Sequence, residues 1–182
     1  MSDLVFEARA FATVNHAGQK RKYDGAPYIE HPARVAETVS SFCKDEAAVA
    51  AAWLHDTVED CGVTLAEIRR RFGDEVHGLV RWLTHVYTSE MFPHLNRATR
   101  KRLEADRLSV APATAQTVKY ADVLDNTKDI VSHDAEFATV YVREMRYLLS
   151  VCIDGDPALY AHVLCLVVKA EEALVAPDAA SG

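Results

Sequence analysis

The chain has 182 residues, of which 49% are hydrophobic and 26% are charged, and its formal net charge is −7 at pH 7. This length suits one domain with a substantial core, and the composition is ordinary for a globular protein. Seven glycines and six prolines are few for the many turns of a β-sandwich or barrel, so an all-α fold is predicted. The negative charge argues against general nucleic-acid binding but permits a small anionic ligand in a locally basic pocket.

The N-terminus and the cysteines favour a cytoplasmic protein. The start "MSDLVFEARAFATVNHAG" carries acids where a signal peptide needs a basic segment. No segment reaches the roughly 18 apolar residues of a membrane span, so no membrane contact is expected. We expect buried thiols in a reducing compartment, because the cysteines form no CxxC pair and lie in apolar stretches. They are Cys43, Cys61, Cys152 and Cys165.

Hydrophobic spacing predicts three helices in the first third of the chain. The first covers roughly residues 3–17 and is followed by a loop, "GQKRKYDGAPYIEHP", with two glycines and two prolines. The second begins at Pro32. The third begins at Asp45 or Glu46 and is predicted to continue to about Asp60.

Capping signals predict the helices that follow. Thr64 and Glu67 form a capping box that opens a short helix, and this helix is predicted to end at Gly73. Asp74 is placed to cap the next one. The remaining predictions are a loop over 88–97, a charged helix "RATRKRLEADRL", a long helix after Pro112, and helices over 135–152 and 157–174. No strand or repeat is predicted.

The segment "AAAWLHDTVED", residues 50–60, places four ionisable groups directly after an apolar run. On a helix, His55 and Glu59 share a face, as do Asp56 and Asp60, because each pair is four residues apart. Adjacent side chains lie only about 100° apart around the axis, so His55 and Asp56 can converge on one ion. Repulsion among three carboxylates disfavours this cluster unless a cation offsets it. The segment therefore indicates a metal site.

A His-Asp dipeptide alone is weak evidence, since so short a motif recurs by chance. A second one, His133–Asp134, occurs near a predicted helix boundary and lacks acidic neighbours one turn away. We interpret this second pair as a surface or capping feature.

Further ligands must come from elsewhere in the chain. His31, in "YIEHPARVA", precedes a proline that marks a helix start, and its alternative role is to satisfy that helix end. The segment "VKYADVLDNTKDI" carries a polar stripe at helical spacing, which could equally be a solvated face. The stripe comprises Asp122, Asp125, Asn126 and Asp129. Apolar residues bracket Asp122, so we expect at least one of these aspartates to be partly buried and to need a partner.

Two imidazoles and two carboxylates suit Mn²⁺, Fe²⁺ or Zn²⁺ rather than Ca²⁺, which takes oxygen ligands. Four protein ligands leave a six-coordinate ion open to water and to a phosphate oxygen. This arrangement favours Mn²⁺ or Fe²⁺ over a closed tetrahedral Zn²⁺ site.

Four segments, "HPARVAETV", "AAWLHDTVED", "TLAEIRRRFGDEVHGLVRWLT" and "VKYADVLDN", resemble in order and spacing the HD-domain guanosine tetraphosphate hydrolases. This family comprises the hydrolase domain of RelA/SpoT-type alarmone enzymes and small stand-alone hydrolases. "RKYDGAPYIEHP" together with "WLHDTVED" is more specific than the generic HD signature. The resemblance is strong over roughly residues 3–130 and weak in the last helices. It implies a compact multi-helix fold, one hydrolase domain over 1–175 and a disordered tail over 176–182, with no room for a synthetase or regulatory domain.

The resemblance also implies roles for individual residues. The implied metal ligands, commonly of manganese, are His31, His55, Asp56 and Asp122. Glu59 and Asp60 match the catalytic acidic pair, and the division of acid and base roles between them stays open. The implied nucleotide contacts are the basic pair Arg21 and Lys22, the ribose-facing Asn126, and the phosphate-facing Lys119, Arg97, Arg100, Lys101 and Arg102. The alternative for the last four is an exposed helix face.

The implied reaction removes the 3′-pyrophosphate of guanosine tetra- or pentaphosphate by metal-activated water. The implied partner is therefore a small guanine nucleotide; a homo-oligomer is compatible with the sequence, which specifies no oligomeric state. Val123 and Asp125 depart from the family pattern, and both are expected beside the nucleotide pocket. These departures raise an alternative, a phosphatase acting on the 2′-phosphate of NADPH. A non-catalytic alarmone-binding module is a third hypothesis, which the complete set of ligands and acids disfavours.

Overall fold

The computed structural model describes residues 2–175, and the predicted tail, 176–182, lies outside them. Within this range the chain forms α-helices and a single isolated bridge between Lys20 and Pro27, which confirms the all-α prediction. The helices are α1 (Asp3–Asn15), α2 (Glu30–Phe42), α3 (Glu46–Leu54), α4 (Thr57–Asp60), α5 (Leu65–Leu83), α6 (Arg97–Leu108), α7 (Ala113–His133), α8 (Ala135–Val151) and α9 (Pro157–Val175). None of them is both long and apolar enough to cross a membrane.

Helix α3 lies at the centre of the domain. It packs against α1, α2, α5 and α7. In a second group, α7, α8 and α9 pack against one another and α6 packs on α8. All but two of the residues of α3 are buried, and five of these are alanines. Small side chains let four neighbouring helices approach closely, so the C-terminal end of α3 lies deep inside the protein.

The predicted continuous helix from Asp45 to Asp60 is wrong, because α3 ends at Leu54 and α4 begins at Thr57. Two side chains take carbonyls that a continuing helix would use. The Thr57 hydroxyl donates to the Leu54 carbonyl at 2.7 Å, and His55 Nδ1 donates to the Ala52 carbonyl at 2.8 Å. Such bonds compete with the backbone ladder. The break therefore leaves His55 at the buried end of α3.

The predicted interruption at Gly73 is confirmed, whereas the capping role of Asp74 stays a prediction. Thr64 Oγ1 accepts the backbone N–H of Glu67 at 3.1 Å, as the capping box requires. Helix α5 then bends at Gly73, whose φ of 84° is left-handed and favours glycine. After this bend, the second half of α5 leads to a loop that contacts α4, where the His85 N–H donates to Glu59 Oε1 at 2.9 Å.

The second His-Asp pair caps a helix, as predicted. Asp134 Oδ1 accepts the N–H of Phe137 at 3.1 Å at the start of α8, and His133 Nδ1 donates to the Asp129 carbonyl at 2.8 Å. The prediction for the cysteines is wrong in part. Cys152 is buried, but Cys165 is exposed because it lies on the face of α9 opposite Val163.

Gly155 gives a test of packing around the long helix α7. A Cβ at this position would lie 2.4 Å from Tyr120 Cε2 and 2.9 Å from the Thr117 nitrogen. We expect Gly155→Ala to lower the free energy of unfolding by about 1–3 kcal/mol, the usual cost of overpacking. Urea unfolding measures this effect.

Gly78→Ala in α5 is the matched control, because its Cβ would meet nothing within 4 Å. Alanine is the better helix former by about 1 kcal/mol, so this variant should be neutral or stabilised. Equal effects of the two substitutions would contradict the packing at Gly155.

Candidate active site

Four side chains from three regions of the chain converge inside the domain. His31 lies in the first turn of α2, where a following proline is tolerated because N–H groups there have no intrahelical partner. His55 and Asp56 occupy the break between α3 and α4, and Asp122 lies in the middle of α7. His31, His55 and Asp122 are buried. The structure thus brings together all four residues predicted as metal ligands.

The ligand atoms lie at the spacing that one ion requires. The two Nε2 atoms of His31 and His55 are 3.2 Å apart. Asp56 Oδ2 lies 3.5 and 3.1 Å from them, and Asp122 Oδ1 lies 3.3 and 3.8 Å from them. Neighbouring ligands about 2.1 Å from a common ion are separated by about 3.0 Å in an octahedron and 3.5 Å in a tetrahedron. His31, His55 and Asp122 are thus close enough to share one divalent cation, and Asp56 Oδ2 lies beside the same two nitrogens.

The hydrogen bonds of both imidazoles present lone pairs to the centre of this cluster. His55 Nδ1 donates to the Ala52 carbonyl at 2.8 Å, and His31 Nδ1 donates to Asp125 Oδ2 at 2.6 Å. In each neutral ring the proton is therefore on Nδ1, and Nε2 is an acceptor. Two acceptor nitrogens and two carboxylate oxygens then face one another without a donor between them. Such a set is stabilised by a positive charge at its centre.

The charges of the cluster lead to the same conclusion. Burial would lower the pKa of His55, but Asp56 and Asp122 outweigh it and raise that pKa to about 9. Burial would raise the pKa of Asp56, but the His55 ring holds it well below its usual range. The cluster therefore stabilises positive charge at its centre, whether that charge is carried by a proton or by a metal ion.

Three neighbouring side chains fix the two aspartates. The Tyr28 hydroxyl donates to Asp56 Oδ2 at 2.7 Å. Lys119 Nζ donates to Asp122 Oδ2 at 2.7 Å, and Asn126 Nδ2 donates to Asp122 Oδ1 at 2.6 Å. Outer partners of this kind orient ligands towards a metal.

A cleft of 160 Å³ opens onto the cluster. It is lined by Tyr28, His55, Asp56, Glu59, Leu83, His85, Lys101, Lys119, Asp122, Asn126 and Tyr141. A second cavity of 190 Å³, here called the annex, shares Glu59, His85 and Lys101 with the cleft. The two adjoining spaces combine four carboxylates, three of them beside the ligand cluster, with four cations from lysine and arginine, which suits a phosphorylated ligand bound with a metal ion.

The two predicted catalytic acids differ in position. Glu59 lines the cleft and accepts hydrogen bonds from His85, which outweigh burial and hold its pKa below the usual range. Asp60 is not among the residues that line the cleft, and burial together with the Asp56 charge raises its pKa. Of the two carboxyl groups, Glu59 is the better placed to accept a proton.

The predicted phosphate contacts divide into two groups. Lys119 and Lys101 line the cleft, as does the predicted ribose contact Asn126. Arg97 lines only the annex, where its guanidinium pairs with Glu144 at 2.8 Å. Of the remaining two, Arg100 also lines the annex, and Arg102 contacts the Tyr147 hydroxyl at 3.3 Å on the surface.

Arg21 and Lys22 lie away from the cleft lining. Arg21 is buried and pairs with Asp129 at 2.7 Å, and Lys22 is exposed and pairs with Asp134 at 3.2 Å. Both cations thus already have acidic partners from α7 and its C-terminal end. Their contact with a nucleotide stays a prediction.

The expectation that Val123 and Asp125 border the nucleotide pocket stays a prediction, although neither residue lines the cleft beside the ligand cluster. Val123 is a core residue with 1% exposure. The carboxylate of Asp125 accepts hydrogen bonds from His31 Nδ1 and from Arg34 Nε, each at 2.6 Å. Both partners belong to α2, against which α7 packs. Asp125 lines a different cavity of 640 Å³, which does not contain the metal-ligand cluster. Of the two residues that depart from the family pattern, Asp125 therefore contacts the metal-ligand candidate His31, and Val123 lies in the core.

Among the cleft residues that can form hydrogen bonds, three were not predicted from the sequence. Tyr28 lies within the quoted motif "RKYDGAPYIEHP", so its position there was a usable signal. Tyr141 belongs to the weakly matching last third of the chain. His85 lies in the loop after α5, where no periodicity or motif marks it.

An all-helical domain in which buried His31, His55 and Asp122 lie close enough to share one ion has the construction of a metal-binding protein. The sequence matches the HD domain family over residues 8–150. It is 38% identical over 130 residues to the Xenopus tropicalis guanosine-3′,5′-bis(diphosphate) 3′-pyrophosphohydrolase MESH1, covering 70% of this chain and 69% of that one. The human MESH1 is 39% identical over 129 residues, with 69% of each chain covered.

A solved structure, described as a metazoan ortholog of SpoT that hydrolyses ppGpp, superposes with a TM-score of 0.81 and 27% identity. The superposition covers 93% of this chain and 96% of the other. The chain belongs to the HD domain family and, within it, to the relatives of the MESH1 pyrophosphohydrolases.

Proposed function

We propose that this protein hydrolyses guanosine tetraphosphate at its 3′ position, giving GDP and pyrophosphate. One observation carries the proposal. The Nε2 atoms of both histidines lie 3.1–3.8 Å from carboxylate oxygens of both aspartates, beside Glu59 and two lysines. The identity of more than a third to two pyrophosphohydrolases supports the choice of substrate. In this proposal His31, His55, Asp56 and Asp122 hold the metal.

A divalent ion bound here would supply Lewis acidity and lower the pKa of coordinated water. In the hydrolysis, the bond between the 3′ oxygen and phosphorus breaks, water's oxygen bonds to that phosphorus, and the 3′ oxygen gains a proton. Glu59, which lines the cleft, accepts the proton that water loses. Lys119 and Lys101, which line the cleft, offset the negative charge of the pyrophosphate. Because the whole protein has a net charge of −7, this positive charge has to be supplied within the site.

We assign Mn²⁺ as the preferred metal, with Fe²⁺ and Zn²⁺ as alternatives. Two imidazoles and two carboxylates are compatible with all three ions. Mn²⁺ and Fe²⁺ take six ligands, and four protein ligands would leave two positions for water and substrate.

The test is a substrate panel on protein stripped of metal with a chelator and reloaded with each ion separately. We expect equal amounts of GDP and pyrophosphate from guanosine tetraphosphate, with the highest rate in Mn²⁺. Phosphate release from NADPH without pyrophosphate release from guanosine tetraphosphate would establish the alternative phosphatase instead. Binding of guanosine tetraphosphate that survives incubation with Mn²⁺ would establish a non-catalytic module.

The hydrogen bond from His31 to Asp125 gives a further prediction. Asp125→Ala removes the acceptor, 2.6 Å away, that holds the His31 ring with Nε2 facing the cluster. We expect Mn²⁺ affinity to fall about 10- to 100-fold, as is usual for outer partners of metal ligands. A titration that follows free Mn²⁺ by electron paramagnetic resonance measures this affinity.

Arg34→Ala is the matched control, since Arg34 donates two hydrogen bonds to Asp125 and none to His31. It should leave Mn²⁺ affinity near that of the wild type. If both variants lose the same affinity, the bond to His31 is not what matters.

A further inference from the structure

His85 holds the carboxylate of Glu59 with two donors. Its backbone N–H donates to Glu59 Oε1 at 2.9 Å, and its ring Nδ1 lies 2.7 Å from Oε2 and 3.0 Å from Oε1. Within residues 2–175, His85 supplies every hydrogen bond that this carboxylate receives. The segment after α5 is thereby joined to α4 at the cleft.

Lys101 determines which ring nitrogen of His85 carries the proton. Its Nζ lies 3.3 Å from His85 Nε2. An ammonium group can only donate, so Nε2 must accept, and the neutral ring carries its proton on Nδ1. That proton faces Glu59. Lys101 therefore donates to His85, and His85 donates to Glu59.

We infer that His85 is a positioning residue for hydrolysis, which holds the Glu59 carboxylate in the cleft as the proton acceptor. This inference rests on the proposed function. Two donors to one carboxylate remove the rotations by which a glutamate would leave its reactive geometry, and small misplacements of a catalytic group are costly. Both donors also favour the ionised form that a proton acceptor needs.

The pKa of Glu59 is consistent with this role, since the bonds from His85 hold it below its usual range although burial opposes them. Charged groups that face Glu59 from its own segment are Asp56 and Asp60, and Lys119 faces it from α7. From α6, the charged residues that line the annex with Glu59 are Arg97, Arg100, Lys101 and Glu104. Substitution of His85 leaves these groups in the chain but removes the ring nitrogen that Lys101 contacts. The difference between variants with and without a replacement donor at position 85 therefore isolates the contribution of the donor to Glu59.

The test compares His85→Ala with His85→Asn in steady-state hydrolysis of guanosine tetraphosphate with Mn²⁺. Alanine removes the ring donor, whereas the Asn Nδ2 group can supply a donor near the position of Nδ1. For His85→Ala we expect kcat to fall about 10- to 100-fold, with KM and Mn²⁺ affinity within about twofold of wild type. The acid limb of the kcat profile should move to higher pH, because the pKa of Glu59 rises when its donor is lost. His85→Asn should recover most of the kcat.

His94→Ala controls for disturbance of the same loop, since His94 is exposed and makes no contact with Glu59. It should keep the kcat of the wild type. The inference is overturned if His85→Ala keeps kcat, if Ala and Asn are equally impaired, or if His85→Ala loses Mn²⁺. Absence of hydrolysis by the wild-type protein would instead refute the proposed function, so the two failures are distinguishable.

Discussion

Replacing His55 with asparagine is expected to abolish both metal binding and hydrolysis. His55 Nε2 lies within 3.8 Å of ligand atoms on each of His31, Asp56 and Asp122, so the ring is central to the cluster. Loss of an outer partner of a ligand costs about 10- to 100-fold in affinity or activity, and loss of the ligand itself should cost more. Elemental analysis of the Mn²⁺-loaded and desalted protein, together with a pyrophosphate-release assay, measures both effects.

The second His-Asp pair of the chain supplies the control. His133→Asn removes an exposed imidazole that donates to the Asp129 carbonyl at the end of α7, about three helical turns beyond Asp122. It should leave metal content and turnover near those of the wild type. A His55→Asn protein that folds normally by circular dichroism and still retains Mn²⁺ and turnover would rule out the proposed metal centre.

The second large effect is expected for Glu59→Gln. Glutamine keeps the shape of the side chain but is a poor proton acceptor, so turnover should fall by about 10²-fold or more. Glu59 is outside the ligand cluster and receives its hydrogen bonds from His85, so Mn²⁺ affinity should stay unchanged. Single-turnover hydrolysis and an Mn²⁺ titration on the same sample separate the two properties.

Asp60→Asn is the appropriate comparison, because Asp60 is adjacent in sequence but does not line the cleft. We expect it to cost less than Glu59→Gln. If Glu59→Gln loses the metal, the role assigned to Glu59 is wrong; if Asp60→Asn has the larger effect on turnover, the two acids must exchange roles.

Local patterns in the sequence were sufficient for most of the helices. The capping box at Thr64 and the glycine at Gly73 act over one turn, so their consequences for α5 could be predicted without knowledge of packing. The burial of Asp122 was predictable for a similar reason, since the apolar residues that flank it on α7 must face the core.

The interruption between α3 and α4 could not be predicted in this way. Its alanines and leucine fit a continuous helix, but Thr57 and His55 capture carbonyls of Leu54 and Ala52. Whether a side chain takes a backbone acceptor or points elsewhere depends on what surrounds it, and here both side chains are buried. The consequence is functional, because the break directs His55 and Asp56 towards the centre.

The sequence by itself determined the helical fold and the types of residue able to bind a metal, because periodicity, caps and motifs operate within a few residues. Only the tertiary structure decided that Asp125 supports His31 and that His85 holds Glu59. These contacts join positions 94 and 26 residues apart, and their existence depends on how α2, α4 and α7 and the loop after α5 pack together. A hydrogen bond needs its partners within about 3 Å, and only packing brings such distant residues that close.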